Sequence, residues 1–164
     1  LAIAREKADD RGIEVEFAAA DAFQLEDLGR RFGTVLDCGL FHSFDVDERL
    51  GYVASLASVT EHDGTLYVLC FSDDGPDTGP HPISQEELRA AFNPSNGWDV
   101  AATEPDRIQP RYHEDGALAW FGTIKRCETC GRQAGGRQAV TDAQELLQRR
   151  SEVAGGRAVQ PIGA

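Results

Sequence analysis

The sequence predicts a single α/β domain on a doubly wound, mostly parallel sheet that ends in an antiparallel pair of strands. Three observations predict it. Helical and strand-like periodicities alternate from residue 1 to about residue 92, which is the order that builds parallel sheets. Thr65 to Phe71 is almost wholly apolar, as a strand buried on both faces must be. The last two strand-like runs, Trp98 to Thr103 and Ala117 to Ile124, follow each other with no helical pattern between them, so they should pair antiparallel at one edge.

Taken in order, Leu1 to Arg11 has Leu1, Ile3, Ala4 and Ala8 on one side and Arg5, Glu6, Asp9 and Asp10 on the other. That is an amphipathic helix, with Gly12 where a C-cap belongs. Ile13 to Phe17 alternates apolar and charged residues and predicts a half-buried strand. Leu25 and Leu28 suggest a short helical turn, interrupted by Gly29. From Gly33 a buried strand runs toward Asp37 and delivers Asp37, Gly39, His42 and Ser43 at its end. Polar groups there are best satisfied in a loop at the strand's carboxyl edge, where ligands bind in open α/β sheets.

Asp45, Asp47 and Glu48 open a helix whose buried stripe is expected to be Leu50, Val53, Ala54, Leu56 and Ala57. His62-Asp63-Gly64 makes the turn into the central strand. Ser72 to Ile83 is breaker-rich and long enough for a lid or binding loop. Ser84 to Glu87 reads as a capping box for a helix through Leu88 and Phe92, stopped by Asn93-Pro94. From Cys127 onward apolar residues thin out, so residues 127–164 are expected to form a disordered tail behind a domain of residues 1–126.

The 164 residues suffice for one core. A net charge of -12 and a pI near 4.6 argue against nucleic acid or an anionic membrane as partner, and mildly favour a neutral or cationic small molecule. No apolar run reaches the roughly 18 residues of a membrane span, and the first residues carry no signal pattern, so the expected compartment is the cytoplasm. Of the four cysteines, Cys38 and Cys70 read as small buried fillers. Cys127 and Cys130 have the spacing of half a zinc site, but no second pair lies nearby, and no metal is expected. Residue 1 is Leu and methionine is absent, so the chain is expected to be part of a longer protein.

This order of elements resembles the class I S-adenosylmethionine-dependent methyltransferases. Asp21-Ala22 after the Ile13 strand is similar to the family's acidic-small pair beside adenine. Cys38-Gly39-Leu40-Phe41-His42 is similar to the loop that borders the methionine part of the cofactor. Asp63-Gly64-Thr65-Leu66 is similar to the turn into the family's fifth strand.

The resemblance implies a Rossmann-like fold of sheet order 3-2-1-4-5-7-6 and S-adenosyl-L-methionine as cofactor, transferring methyl to a small molecule. The family's glycine-rich first motif and its ribose-binding acid have no counterpart here, so the expectation is a fold lacking its first two strands, marginal alone and doubtful in cofactor binding. Asp21, Ala22, Phe23, Cys38, Gly39 and Leu40 are the expected cofactor contacts.

His42 is the first candidate for a general base and Asp73 the second, with a loop-bonded histidine as the competing role for His42. Phe41, Phe71 and His81 are candidates for the substrate wall, with core packing the competing role for the aromatic residues. Asp37 is assigned a structural or loop-holding part. The unpaired sheet edges leave homo-oligomerisation open. A non-catalytic methyltransferase-like subunit and a fragment of a dinucleotide-binding oxidoreductase are the alternative readings.

Overall fold

The computed structural model describes residues 1–74, 81–109 and 116–127. Four strands form its sheet: β1 (Phe32–Cys38), β2 (Thr60–Phe71), β3 (Trp98–Ile108) and β4 (Ala117–Arg126), in spatial order β1-β2-β4-β3. β1 and β2 are parallel, while β4 is antiparallel to both of its neighbours. This reproduces the 4-5-7-6 portion of the sheet order given above. Among the described residues the α-helices are α1 (Ala2–Asp9), α2 (Val46–Val59) and α3 (Gln85–Ala91).

The registers explain where the core sits. Val35, Leu66, Ile124 and Val100 lie side by side across the four strands, and Asp37, Val68 and Gly122 form the next row. Tyr52, Val53 and Leu56 of α2 and Leu88 of α3 join these rows in one buried cluster. α3 lies so close to β4 that a Cβ on Gly122 would stand 3.1 Å from Leu88 Cδ2. The opposite face carries Leu36, Tyr67 and Phe121. Leu36 is 66% exposed there, and Tyr67 stacks on Phe121 at 5.5 Å.

Two capping boxes fix the helix starts. Asp45 accepts from the Glu48 amide and Glu48 from the Asp45 amide at α2, and Ser84 and Glu87 do the same at α3. The expected turn at Leu25–Leu28 is a 3-10 turn closed by Gly29 at φ +66°.

Several expectations need correction. Ile13 to Phe17 is not a strand: Ile13 and Val15 are half-exposed, and among the described residues no strand forms a ladder with the segment. An alternating pattern only specifies a strand when a neighbour supplies the ladder. The apolar side of α1 is likewise unburied, with Ile3 69% exposed. In α2, Leu50 and Ala54 face outward, and the inward face is Arg49, Tyr52, Val53, Ser55, Leu56 and Val59.

Cys38 is exposed, whereas Cys70 is the buried filler expected, its thiol pushed up to about 12 chiefly by burial. β3 continues past Thr103 to Ile108, with Pro105 tolerated because β3 lies at the sheet's edge. The expected tail, apart from Cys127, lies outside the described residues, as does Cys130.

His62-Asp63-Gly64, expected as a turn before the central strand, lies within β2 as an irregularity where the register to β1 shifts and Asp63 takes φ +61°, and it leaves little room. A Cβ on Gly64 would stand 2.8 Å from the Glu61 carbonyl oxygen and 2.9 Å from Thr60 Cγ2. Gly64→Ala should therefore destabilise the fold by about 1–3 kcal/mol in urea denaturation. An unchanged midpoint would mean the turn relaxes freely.

Candidate cofactor and methyl-transfer edge

The site is built at the carboxyl ends of the two parallel strands. β1 delivers Asp37, which is 4% exposed and cannot look to water for its hydrogen bonds. Its Oδ1 accepts from the Leu40 amide at 2.8 Å, and its Oδ2 accepts from the Phe41 amide at 3.0 Å and from the Tyr52 hydroxyl at 2.8 Å. Burial nevertheless holds its carboxyl above the usual range, outweighing these bonds, and burial with the facing Asp37 charge raises the Tyr52 phenol further. The carboxylate thus folds Cys38 to Ser43 back over the strand end. Gly39, at φ +90°, makes the bend and donates its amide to Leu69 O at 2.9 Å.

Cys38 and Leu40 are left exposed on this edge, with Leu40 at 42%. The Asp21–Phe23 turn is brought alongside by aromatic packing. Phe23 lies 4.9 Å from Phe44 and 6.5 Å from Tyr52, and the Leu25 amide donates to Ser55 Oγ on α2 at 2.9 Å. Asp21 is exposed. Its Oδ1 accepts from the Phe23 amide at 2.9 Å, while Oδ2 has only a long 3.4 Å contact from Gln24 Nε2, so the carboxylate keeps capacity for an exocyclic amine.

His42 is buried, stacked on Phe71 at 4.2 Å, and packed against Gly39, where a Cβ would stand 3.4 Å from Cε1. The Phe71 amide donates to its Nδ1 at 3.1 Å. A backbone N–H can only donate, so the imidazole lone pair is committed and the ring proton sits on Nε2. Burial and, secondly, the Arg49 guanidinium pull its pKa down to about 4. With Nδ1 taken by the Phe71 amide, His42 lacks the free lone pair that the expected general-base role needs, and its bond crosses to β2 instead of staying within the loop as the competing role had it.

Asp73, the second candidate, is exposed after β2, accepting a long 3.5 Å contact from Trp120 Nε1. Phe41 has 0% exposure and packs on Phe92 at 5.3 Å, so it belongs to the core and not to a substrate wall. Phe71 is 6% exposed and lies beneath the His42 ring. His81 points to solvent, and residues 75–80 of the expected lid lie outside the described residues.

Two residues that the sequence reading passed over hold the edge from behind. Tyr52 anchors Asp37. Arg49, 5% exposed, donates from Nε to Phe44 O at 3.1 Å and from Nη1 to Glu87 Oε1 at 3.2 Å, with its guanidinium 5.4 Å from the Phe41 ring centre. Ser84 first and Arg49 next hold Glu87 below the usual carboxylate range. The signal that could have found them is helical spacing: Arg49, Tyr52, Val53 and Leu56 share one face of α2. Among the described residues no group of three His, Cys, Asp or Glu could hold a metal ion, and no helix is long and apolar enough to cross a membrane.

The depressed His42 pKa makes a pH prediction. The unfolded chain takes up this proton near 6.5 and the folded chain only near 4. The stability His42 contributes is present above 6.5 and is lost as pH falls toward 4. The shift on Asp37 has the opposite sign, so the comparison must be made at His42. From about pH 7 to about pH 5 the melting temperature should fall more in wild type than in His42→Asn. Parallel profiles would contradict the assignment.

No family model matches the chain. It is 36% identical over 112 residues to the 2-heptyl-1-hydroxyquinolin-4(1H)-one methyltransferase of Mycobacteroides abscessus, a match covering 66% of this chain and 48% of that protein. The chain thus spans about half the length of that relative. Among solved structures, a protein studied for the conversion of a disulfide bond into a thioacetal group during echinomycin biosynthesis superposes with a TM-score of 0.65 at 25% identity, over 90% of this chain and 67% of that one. The magnesium protoporphyrin IX methyltransferase of Synechocystis PCC 6803, with S-adenosylmethionine bound, shares the fold at a TM-score of 0.56 and 20% identity, over 76% of this chain and 53% of that one. In sequence and in strand order the chain is similar to S-adenosylmethionine-dependent methyltransferases of the class I fold.

Proposed function

We propose that the protein transfers the methyl group of S-adenosylmethionine to a heteroatom of a small heteroaromatic molecule in the cytoplasm, with no nucleic acid or membrane partner. The observation that carries this reading is the 36% identity to a methyltransferase named for a hydroxyquinolone. The site residues support it. Asp21 offers a carboxylate oxygen to an exocyclic amine, and Ala22 and Phe23 continue the same turn. Cys38, Gly39 and Leu40, at the end of β1, would border the remainder of the cofactor.

When bound, the cofactor supplies an electrophilic methyl group on a sulfonium. Transfer is an in-line displacement, so the protein's work is chiefly to hold the acceptor atom in near-attack geometry and to keep bulk water away. The Asp37 anchor fixes the loop on which that geometry depends. Asp73, exposed beside Trp120, is the carboxylate free to take a proton from an acceptor hydroxyl.

Calorimetric titration of S-adenosylhomocysteine into the full-length gene product should give saturable one-site binding. Gly39→Val, which puts a branched side chain into a left-handed position against His42, should weaken it by about tenfold or more. Heat on adding NADH and none on adding S-adenosylhomocysteine would overturn the proposal.

A further inference from the structure

His42 has two ring nitrogens, and the structure accounts for one. Nδ1 is taken by the Phe71 amide at 3.1 Å, which leaves Nε2 carrying the proton. No described residue hydrogen-bonds Nε2, and it is not among the buried polar atoms left without a partner, so it keeps contact with solvent. The ring cannot swing away from this position. It is stacked on Phe71 at 4.2 Å, tied through Nδ1 to the Phe71 amide at 3.1 Å, and lies within van der Waals reach of Gly39.

Arg49 completes the setting. Its guanidinium is fixed by Phe44 O and Glu87 Oε1 and opposes a second positive charge on His42. The result is a rigid N–H donor beside the Cys38–Leu40 loop, at the carboxyl edge where an acceptor molecule would lie.

From this geometry we propose that His42 donates a hydrogen bond through Nε2–H to an oxygen of the methyl acceptor, and so selects acceptors with a carbonyl or ionised hydroxyl oxygen at or next to the methylated atom. The inference rests on the methyltransferase reading above and adds the substrate contact to it. A fixed uncharged donor orients an oxygen lone pair without taking its proton. It also disfavours analogues lacking that oxygen, because Nε2–H would then be covered by the bound analogue without a partner.

Two substitutions separate this role from a structural one, because each keeps one of the two nitrogens. His42→Asn can place an amide oxygen where Nδ1 accepts the Phe71 amide, and it removes the outer donor. His42→Gln can place an amide N–H near Nε2, and it gives up the inner acceptor.

The probe is 1-hydroxyquinolin-4(1H)-one, titrated into the full-length protein saturated with S-adenosylhomocysteine. His42→Asn should keep wild-type S-adenosylhomocysteine affinity and bind the probe about tenfold or more weakly, whereas His42→Gln should retain most probe binding while melting at a lower temperature. Long-range proton–nitrogen NMR of the free protein should show the Nε2–H tautomer, with its resonance moving on probe addition.

Equal probe affinity in wild type and His42→Asn, an Nδ1–H tautomer, or no probe binding by a wild-type protein that binds S-adenosylhomocysteine would each overturn the inference while leaving the methyltransferase reading intact. Absence of S-adenosylhomocysteine binding would overturn that reading. The tautomer measurement needs no ligand and decides the donor state of His42 in either case.

Discussion

A carboxylate buried at the end of β1 sets the shape of everything around the site. Asp37 could not remain there unless its oxygens were met by donors, and the chain meets them with two backbone amides from its own following turn and one phenol from α2. Each bond to a charged acceptor is worth about 1.5–3 kcal/mol, while burying a carboxylate costs several kcal/mol. The two oppose each other, and the raised pKa shows that burial outweighs the bonds. The carboxylate is therefore not held there for its own charge. What it supplies is position: it bends Cys38 to Ser43 over the strand end and ties that bend to α2.

The tie extends outward through neighbouring groups. Tyr52 joins Asp37 to the Phe23 and Phe44 rings, which bring the Asp21 turn alongside. Arg49, one helical turn earlier, bonds the Phe44 carbonyl and reaches Glu87 at the start of α3. The pair with Glu87 is half-exposed on the acidic side and is worth little as an ion pair alone. Its larger consequence is a fixed positive charge behind His42, which with burial leaves the imidazole uncharged. One helix face thus holds both the loop and the protonation state of the histidine within it.

Much of this frame was legible in the sequence because its signals are local. The capping box at Ser84, the acidic helix start at Asp45, the apolar run of β2 and the helix-free passage to the last strands each depend on residues a few positions apart. The failures share the opposite cause. Ile13 to Phe17 has the right alternation, but pairing is decided by distant chain. Leu50 and Cys38 were sorted by hydrophobicity, yet the faces they occupy are exposed, while Arg49 and Tyr52 take the inward positions because each finds a hydrogen-bond partner there. His42 was found as a residue and misjudged as a base, since its bond to the Phe71 amide joins residues far apart in sequence.

The most direct test of this account is hydrogen exchange at the Leu40 and Phe41 amides in wild type and in Asp37→Ala, with the Leu66 and Ile124 amides of the sheet as internal reference. If the buried carboxylate holds the loop, exchange at Leu40 and Phe41 should accelerate by about tenfold or more relative to the reference amides. Equal protection in the two proteins would contradict the claim that Asp37 shapes the loop at the end of β1.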